Sequence, residues 1–209
     1  EAVQAGVTIE KIFALESYRD QLAAFPQTVW VSEEILRDLA DTQTPQGIVA
    51  VIQKEEMGQP DLRQGKFLFL EDVQDPGNVG TMIRTADAAG FTGVIVSDKS
   101  ADIYSLKTLR SMQGSHFHLP IYRMPVATFV EGAKKSDLPI LATTLSRDSK
   151  DYRELSPLEN FALVMGNEGQ GISPVMVESA DQLVHIGMKG RAESLNVAIA
   201  AGILMFYFS

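Results

Sequence analysis

The chain contains no cysteine in its 209 residues. It can therefore form no disulfide bond, no thiolate metal site and no iron–sulfur cluster, and it has no cysteine nucleophile. The absence of disulfides fits a reducing compartment, and we expect a cytoplasmic protein.

Positive charge and long apolar runs are also scarce. The 18 Lys and Arg residues face 27 Asp and Glu residues, and the net charge of −9 argues against a protein that holds nucleic acid by bulk electrostatic attraction. The longest apolar run, residues 197–208, is too short to span a bilayer, and no signal peptide is visible. We expect a soluble globular protein without a membrane partner.

Several well-known catalytic and binding motifs do not occur. The patterns G-x-G-x-x-G, G-x-x-x-x-G-K-[ST], G-x-S-x-G and H-E-x-x-H are all absent. His116 and His118 would share one face of a predicted strand, but no third ligand lies near them, so we predict no metal site. A doubly wound nucleotide-binding enzyme such as a dehydrogenase is disfavoured for lack of its glycine motif.

A polar segment that includes Gly58, Pro60 and Gly65 divides the chain. Because it lacks apolar periodicity and contains residues that break helices and strands, it predicts a domain boundary. We expect a small domain at 1–56, a linker at 57–65 and a larger domain at 66–209.

The small domain is predicted to contain three strands and one helix. The strand-like runs are IEKIFAL, TVWVS and GIVAVIQ, and EEILRDLAD has the period of an amphipathic helix. Ser32 is expected to cap this helix, and Ile35, Leu36 and Leu39 are expected to form its packed face.

Strand-like and helix-like runs alternate through the larger domain. The predicted strands are FLFLEDV, GVIVSD, FHLPIYR, PILATTL, FALVMG and LVHIGM, with helical runs between or after them. This alternation predicts an α/β fold with a parallel sheet and helices on both faces. Ligands of such sheets bind in the loops at the carboxyl ends of the strands.

Three of these loops contain candidate site residues. The first follows FLFLEDV, begins at Asp75 and places Asn78 at the start of a helix from which Arg84 points outward. The second, Gly166–Gly171, follows FALVMG and allows a close approach of the backbone to a ligand, so a side chain at Gly166 is expected to intrude on it. The third precedes the last helix, for which Ser194 or Glu193 is the expected cap. Taken singly, each loop is as well explained by capping, flexibility or core packing.

Taken together, the three loops resemble a known family. DPGNVGTMIRTADAAGF, ALVMGNEGQGIS and HIGMKGRAESLNVAIAAGILMF are similar, in order and spacing, to the three motifs of the SpoU (TrmH-like) RNA 2′-O-ribose methyltransferases of the SPOUT superfamily. The resemblance covers roughly residues 66–209. EAVQAGVTIEKIFAL and TPQGIVAV resemble the small L30e-like substrate-binding domain that often precedes them. Family members usually begin earlier, so we expect this chain to be truncated at its N-terminus.

The resemblance implies a fold and an assembly. The fold is an α/β parallel-sheet SPOUT domain with a C-terminal trefoil knot, preceded by a partial L30e-like α/β domain; a knot is a rare exception among proteins. It also implies a homodimer packed through the knot region. The last helix, apolar almost all round, suits burial in such an interface.

The resemblance further implies S-adenosylmethionine as cofactor, released as S-adenosylhomocysteine, with no metal. The positions that match its binding residues are Gly166, Ile186 and Leu195, through backbone atoms, and Thr143, Asn167, Gly169, Met188 and Asn196, which line the pocket. A glycine-rich loop and an apolar strand end offer the apolar walls and backbone groups that adenine requires.

For catalysis, Arg84 matches the family's catalytic arginine, and Asn78, Glu168, Ser194 and Asn196 match its motif neighbours. A guanidinium stays protonated in proteins, so we expect Arg84 to bind a phosphate and to stabilise the developing alkoxide. Glu168 is expected either to orient Arg84 or to accept the proton.

The implied partner is RNA, ribosomal RNA in preference to transfer RNA. Because the chain is acidic, we expect local basic residues to bind it: Arg84, Lys107, Arg110, Arg147, Lys150 and Arg153. Two alternatives stay open, a transfer-RNA ribose methyltransferase and a catalytically inactive RNA-binding protein of the same fold.

Overall fold

The computed structural model describes residues 1–42, 44–54 and 57–209. The chain forms two compact units, Glu1–Glu56 and Met57–Ser209. Glu55 and Glu56, at the predicted domain boundary, lie outside the described residues. Leu62, within the predicted linker, is buried in the core of the second unit.

The first unit is a small α/β module. Its elements are β1 (Ile9–Ala14), β2 (Thr28–Trp30), α1 (Glu33–Ala40) and β3 (Ile48–Ile52). Strand β1 lies in the middle of the sheet, parallel to β2 and antiparallel to β3.

Helix α1 begins where the sequence predicted. The Ser32 hydroxyl accepts a hydrogen bond from the Ile35 backbone N–H at 3.3 Å, which satisfies one of the free donors of the first turn. The predicted packed face was wrong in part, because only Leu36 is buried, while Ile35 is 49% and Leu39 38% exposed. A two-turn helix beside a three-stranded sheet buries one line of side chains, and Ile35 and Leu39 lie beside that line.

The second unit contains a seven-stranded sheet in which every pairing is parallel. Its strands are β4 (Lys66–Leu70), β5 (Gly93–Val96), β6 (Ile121–Arg123), β7 (Ile140–Thr143), β8 (Lys150–Asp151), β9 (Phe161–Met165) and β10 (Gln182–His185), in the spatial order β6-β5-β4-β9-β7-β10-β8. The sequence predicted all of these strands except the two-residue β8.

Five helices cover the two faces of this sheet. They are α2 (Pro76–Ala88), α3 (Leu106–Met112), α4 (Val126–Lys135), α5 (Pro174–Ser179) and α6 (Val197–Phe208). Alternate strand residues point to opposite faces. Leu68 and Leu70 therefore pack in the cluster formed with α2 and α6, while Phe67 and Phe69 pack in the cluster formed with α4 and α5. The parallel three-layer architecture agrees with the prediction.

The predicted strand FHLPIYR begins later than expected, so the prediction that His116 and His118 share a strand face was wrong. Residues Ser115–Phe117 form one turn of 3₁₀ helix, and β6 begins only at Ile121. The Nδ1 atom of His118 instead lies 2.9 Å from Oδ2 of Asp87 on α2, so this histidine joins the turn to the helix. No group of three or more His, Cys, Asp or Glu among the described residues is placed to hold a metal ion.

No helix in the described part of the chain combines the length and the apolar character that crossing a bilayer requires.

Helices α2 and α3 approach closely at Gly80. A Cβ atom at this position would lie 2.6 Å from both Ser111 Cβ and the carbonyl oxygen of Thr108. Since the second contact is with backbone, a rotamer change cannot relieve it, and the helices would have to separate.

We therefore predict that Gly80→Ala destabilises the protein by about 1–2 kcal/mol. Overpacking costs about 1–3 kcal/mol, whereas alanine gains at most about 1 kcal/mol of helix propensity over glycine. Urea unfolding monitored by circular dichroism measures the change. Gly58→Ala is the matched control, because a Cβ there meets nothing within 4 Å. Equal midpoints for the two variants would contradict the prediction.

Candidate active site

The carboxyl ends of β4, β9, β7 and β10 lie side by side in the sheet. A cavity of about 750 Å³ lies at this edge of the sheet. The loops after β7, β9 and β10 and the first half of α6 supply its walls. The lining residues are Thr143, Thr144, Leu145, Ser146, Met165, Gly166, Asn167, Glu168, Gly169, Gln170, Gly171, Val184, His185, Ile186, Met188, Ser194, Leu195, Asn196, Val197, Ala200 and Leu204.

This cavity brings together most of the residues singled out in the sequence. All eight candidate cofactor-binding residues line it: Thr143, Gly166, Asn167, Gly169, Ile186, Met188, Leu195 and Asn196. Of the candidate catalytic residues, Glu168, Ser194 and Asn196 line it as well. Asn78 and Arg84 are outside this lining set.

The glycine-rich loop after β9 is held by its own hydrogen bonds. The backbones of Asn167 and Gly171 donate to each other at 3.0 and 2.9 Å. The side-chain oxygen of Asn167 accepts from the backbone N–H groups of Gly169 and Gln170, both at 2.9 Å. Gly171 has a φ of +70°, a conformation that other residues rarely adopt. The loop is thus a closed turn rather than an open flexible connection.

Gly166 is required because the glycine-rich loop packs against it, and not mainly because a ligand approaches it. A Cβ atom there would meet the Gly171 carbonyl oxygen and the Ile172 nitrogen, both at 2.6 Å. The expectation that a side chain at Gly166 would intrude mainly on a ligand is therefore corrected. A side chain would first force apart the loop itself, so a substitution would change folding of the loop together with any binding.

Glu168 connects the loop after β9 to the loop after β4. Its carboxylate accepts hydrogen bonds from the backbone N–H groups of Gln74 and Asp75, both at 3.3 Å, and from Nδ2 of Asn78 at 3.1 Å. Nδ2 of Asn196 in turn donates to Oδ1 of Asn78 at 3.1 Å. The hydrogen-bond chain Glu168–Asn78–Asn196 therefore links all three loops that the sequence singled out.

These hydrogen bonds set the charge state of Glu168. Burial acts to raise its pKa, but the hydrogen bonds from Asn78, Gln74 and Asp75 favour the charged form, and the pKa lies below its usual value. A carboxylate with a lowered pKa and three donors is a weak proton acceptor. In the part of the chain that the structure describes, no hydrogen bond or ion pair joins the Glu168 carboxylate to Arg84. The geometry supports a role in holding the loops more than either expected role.

Asn196 caps the last helix, so the expectation that Ser194 or Glu193 does so was wrong. Its Oδ1 accepts from the N–H groups of Ala198 at 2.9 Å and Ile199 at 3.3 Å. The residue that opens α6 is therefore also the residue that contacts Asn78. Asn is as good a cap residue as Ser and better than Glu, so local preference was a signal that could have indicated Asn196.

Arg84 is exposed and, within the described ranges, makes no hydrogen bond or ion pair. The neighbouring residues Val79, Met82, Ile83 and Ala86 are fully buried, as the periodicity predicted. At 1.5 Å per residue, Arg84 lies about 9 Å along the helix axis from Asn78. Its guanidinium is free to meet a ligand from solvent.

Two other basic candidates already have acidic partners. Lys107 Nζ lies 2.7 Å from Oδ2 of Asp75, the N-cap residue of α2, and this ammonium is the main cause of the lowered pKa of Asp75. Arg153 binds the carboxylate of Asp151 through both Nε and a terminal nitrogen, each at 2.7 Å.

The loop after β7 also lines the cavity, although only Thr143 was predicted there. Thr144, Leu145 and Ser146 line the cavity next to Thr143, and Leu145 is 70% exposed. His185 also lines the cavity, and its Nδ1 lies 2.9 Å from the Ser149 hydroxyl, which joins this loop to the end of β10. The rule that ligands bind beyond strand ends would have included both segments.

The cavity fits an adenosyl cofactor in size and character. Met165, Val184 and Leu204 supply apolar wall, and the loops expose backbone donors and acceptors beside it. Drug-sized ligands occupy cavities of about 300–1,000 Å³ that combine apolar walls with a few polar groups.

Comparison with known proteins identifies the family of the chain. Residues 65–206 match the model of the SpoU rRNA methylase family, and residues 1–58 match that of the RNA 2′-O ribose methyltransferase substrate-binding domain. The chain is 39% identical to the 23S rRNA (guanosine(2553)-2′-O)-methyltransferase RlmP of Bacillus subtilis, over 99% of this chain and 83% of that protein.

Solved structures agree as well. The AdoMet-bound rRNA methyltransferase from Sinorhizobium meliloti superposes with a TM-score of 0.87 and 33% identity, covering 99% of this chain and 81% of that one. The TrmH/SpoU tRNA modifying enzyme of A. aeolicus has a TM-score of 0.61 and 33% identity, covering 70% of this chain and 77% of that one. The resemblance seen in the three loops is thereby confirmed, and the chain belongs to the SpoU rRNA methylase family.

Proposed function

We propose that this protein transfers a methyl group from S-adenosylmethionine to a ribose 2′-hydroxyl of ribosomal RNA, in the cytoplasm. The observation that carries the proposal is one cavity that brings together all eight candidate cofactor-binding residues, seven from the second and third sequence motifs and Thr143 from the end of β7. RNA ribose methylation is the reaction for which the family is named.

Ribosomal RNA is favoured over transfer RNA by the extent of the similarity. The ribosomal-RNA enzymes from Bacillus and Sinorhizobium match 99% of this chain, so both units are included. The transfer-RNA modifying enzyme matches 70% of it. We propose that the first unit, a module similar to L30e, binds the RNA and that residues 66–209, preceded by the linker 57–65, carry the reaction.

The cofactor would be held by the loops after β9 and β10. Backbone groups of Gly166, Ile186 and Leu195 would bind it, with Thr143, Asn167, Gly169, Met188 and Asn196 beside it. S-adenosylmethionine supplies an electrophilic methyl group on a sulfonium. The task left to the protein is to align the ribose hydroxyl and to stabilise the charge that develops as it loses its proton.

We assign these tasks to the residues around the loop junction. Glu168, kept ionised, and Asn78 and Asn196 hold the three loops in register, and Ser194 faces the cavity as a hydroxyl that can bind the ribose. Arg84, charged and without a partner among the described residues, binds the phosphate next to the target ribose and stabilises the alkoxide.

We also propose a C-terminal trefoil knot and a dimer that packs through it. Helix α6 comes after β10 in the chain but packs against α2, the helix that follows β4. Strands β7 and β9 lie between β10 and β4 in the sheet, so the end of the chain crosses back over both of them.

The outer side of α6 is a candidate dimer surface. It exposes Ile199, Ile203 and Phe206 at 57%, 37% and 59%. These positions are spaced i, i+4 and i+7 and form one apolar stripe.

The direct test is methyl transfer from labelled S-adenosylmethionine to ribosomal RNA, with mapping of the modified nucleotide. Incorporation at one ribose 2′-position supports the proposal. Incorporation into transfer RNA alone would support the transfer-RNA alternative. Cofactor binding without transfer to any RNA would support the inactive RNA-binding alternative.

We predict that Arg84→Ala lowers the methyl-transfer rate by about 100-fold or more, because a charged group that acts in the transition state is lost. Stability and cofactor affinity should be nearly unchanged, since Arg84 contacts neither core nor cavity lining. Single-turnover assays at saturating RNA and cofactor measure the chemical step.

Two variants control the Arg84 measurement. Arg84→Lys should restore little activity, because an ammonium cannot reproduce the planar guanidinium. Arg63→Ala removes another exposed arginine of the same unit, paired only with Asp61, and should keep the wild-type rate. A wild-type single-turnover rate in Arg84→Ala, with weaker RNA binding, would reduce Arg84 to a phosphate-binding residue.

We predict that Glu168→Gln weakens cofactor binding by about tenfold, since a glutamine amide cannot accept from all three donors and a charge-assisted hydrogen bond contributes about 1.5–3 kcal/mol. The pH–rate profile should keep its shape. Disappearance of its acidic limb would instead identify Glu168 as the proton acceptor. Glu131→Gln, on the distant α4, is the matched control.

The Glu168→Gln variant also tests whether Glu168 is ionised, through the pH dependence of the stability of the folded protein. The pKa of Glu168 is lowered in the folded protein. Its contribution to stability is therefore fully present above the unfolded-state pKa of about 4.3 and is lost as the pH falls through the folded-state pKa. Wild type should therefore lose more stability than Glu168→Gln between about pH 5 and 3, measured by thermal unfolding.

We predict that Phe206→Lys converts the protein from dimer to monomer. A charge in the middle of the α6 stripe would be buried unpaired in the interface. Sedimentation velocity distinguishes the two states. Leu106→Lys, which changes an exposed leucine of α3, should leave the dimer intact, and a dimeric Phe206→Lys protein would place the interface elsewhere.

A further inference from the structure

The turn between β4 and α2 contains a residue in a strained conformation. Asp72 has a φ of +54°, in the left-handed region that residues other than glycine rarely occupy. Such conformations persist only where the surroundings hold them, and they cluster at functional sites.

Two buried hydroxyl groups hold this turn. The Ser97 hydroxyl, 1% exposed as a residue, donates to Oδ1 of Asp72 at 2.6 Å and accepts from its backbone N–H at 2.8 Å. The Ser100 hydroxyl, in a residue 7% exposed, accepts from the backbone N–H of Val73 at 3.2 Å. Both serines lie in the loop after β5. Arg123 fixes that loop by donating to the carbonyl oxygens of Ser97, Asp98 and Ala101.

The conformation of Asp72 determines where its carbonyl oxygen points. That oxygen accepts a hydrogen bond from Nδ2 of Asn167 at 2.8 Å. The other side-chain atom of Asn167, Oδ1, accepts from Gly169 and Gln170 and so fixes the turn of the glycine-rich loop. The hydrogen bonds that connect the buried serines to the wall of the cavity therefore run through the backbone of Asp72.

We infer that Asp72 is a positioning residue for cofactor binding: its left-handed backbone aims a carbonyl oxygen at Asn167 and thereby holds the loop of residues 166–171 in its binding shape. This inference rests on the proposed function for the identity of the cofactor. Asp72 itself contacts neither cofactor nor RNA; it acts through Asn167.

The test compares Asp72→Val with Asp137→Val. A β-branched residue is strongly disfavoured at positive φ. Asp137 has a φ of +52° and is exposed after α4, so its variant carries the same backbone strain with no connection to the cavity. Asp72→Asn and Asp72→Gly are the rescue variants, because both residues tolerate the left-handed conformation.

Two readouts are required. Amide hydrogen exchange at Gly169 and Gln170 reports on the loop without cofactor, and calorimetry gives the affinity for S-adenosylmethionine. In Asp72→Val we expect exchange at least about tenfold faster and binding at least about tenfold weaker. Asp137→Val should match wild type in both, and the two rescue variants should stay within about threefold. Single-turnover rates at saturating cofactor should change less than affinity does.

Several results would overturn the inference: wild-type exchange in Asp72→Val, faster exchange with wild-type affinity, or an Asp72→Gly protein as impaired as Asp72→Val. If Asp72→Val does not fold, Asp72→Ala replaces it, with an expected effect of about fivefold or more on both readouts, above the limit set for the rescue variants. A wild-type protein that bound no S-adenosylmethionine would overturn the proposed function, while exchange at Gly169 and Gln170 would still decide whether Asp72 holds the loop.

Discussion

The carboxylate of Glu168 is the interaction on which the cavity depends. It lies at the meeting point of the loops after β4 and β9, and through Asn78 it reaches the start of α6. Two of its donors are backbone N–H groups that lose a charged acceptor if it is protonated. Each hydrogen bond is 3.1–3.3 Å long, so the junction is maintained by several moderate bonds to one charge. Ionised Glu168 accepts these bonds more strongly than a protonated carboxyl would, so the junction is firmest when the group is charged.

The sheet determines which loops can meet at this charge. Strand β9 lies between β4 and β7, and β10 lies beside β7, all parallel. Their carboxyl ends are therefore neighbours although the chain visits them far apart in sequence. Asn78 and Glu168 are separated by 90 residues, and Asn78 and Asn196 by 118. The apolar strands and the helices on both faces fix this order, and the polar junction then fixes the loops to one another.

The parts of the structure that follow from local patterns could be predicted from the sequence. Strand and helix order, the Ser32 cap and the outward direction of Arg84 depend on periodicity and on neighbours within one turn. The reason for Gly166 could not, because it depends on how the glycine-rich loop folds back on itself and brings the Gly171 backbone against Gly166. The contact between Asn196 and Asn78 and that between His118 and Asp87 could not either, because each joins segments far apart in the sequence. The resemblance supplied the candidate site residues, whereas the hydrogen bonds by which Glu168 joins two loops are visible only in the structure.

The acidic balance of the chain makes the choice of RNA-binding residues important. A cation that already neutralises a carboxylate must break that pair before it can bind a phosphate. Lys107 would have to leave Asp75, the residue that caps α2 beside the junction, and Arg153 would have to leave Asp151. Arg84 has no such partner among the described residues and stands on the helix that Asn78 begins. Binding a phosphate at Arg84 therefore costs no existing ion pair and leaves the junction at Glu168 undisturbed, so the same helix can position the RNA and hold the cofactor loops.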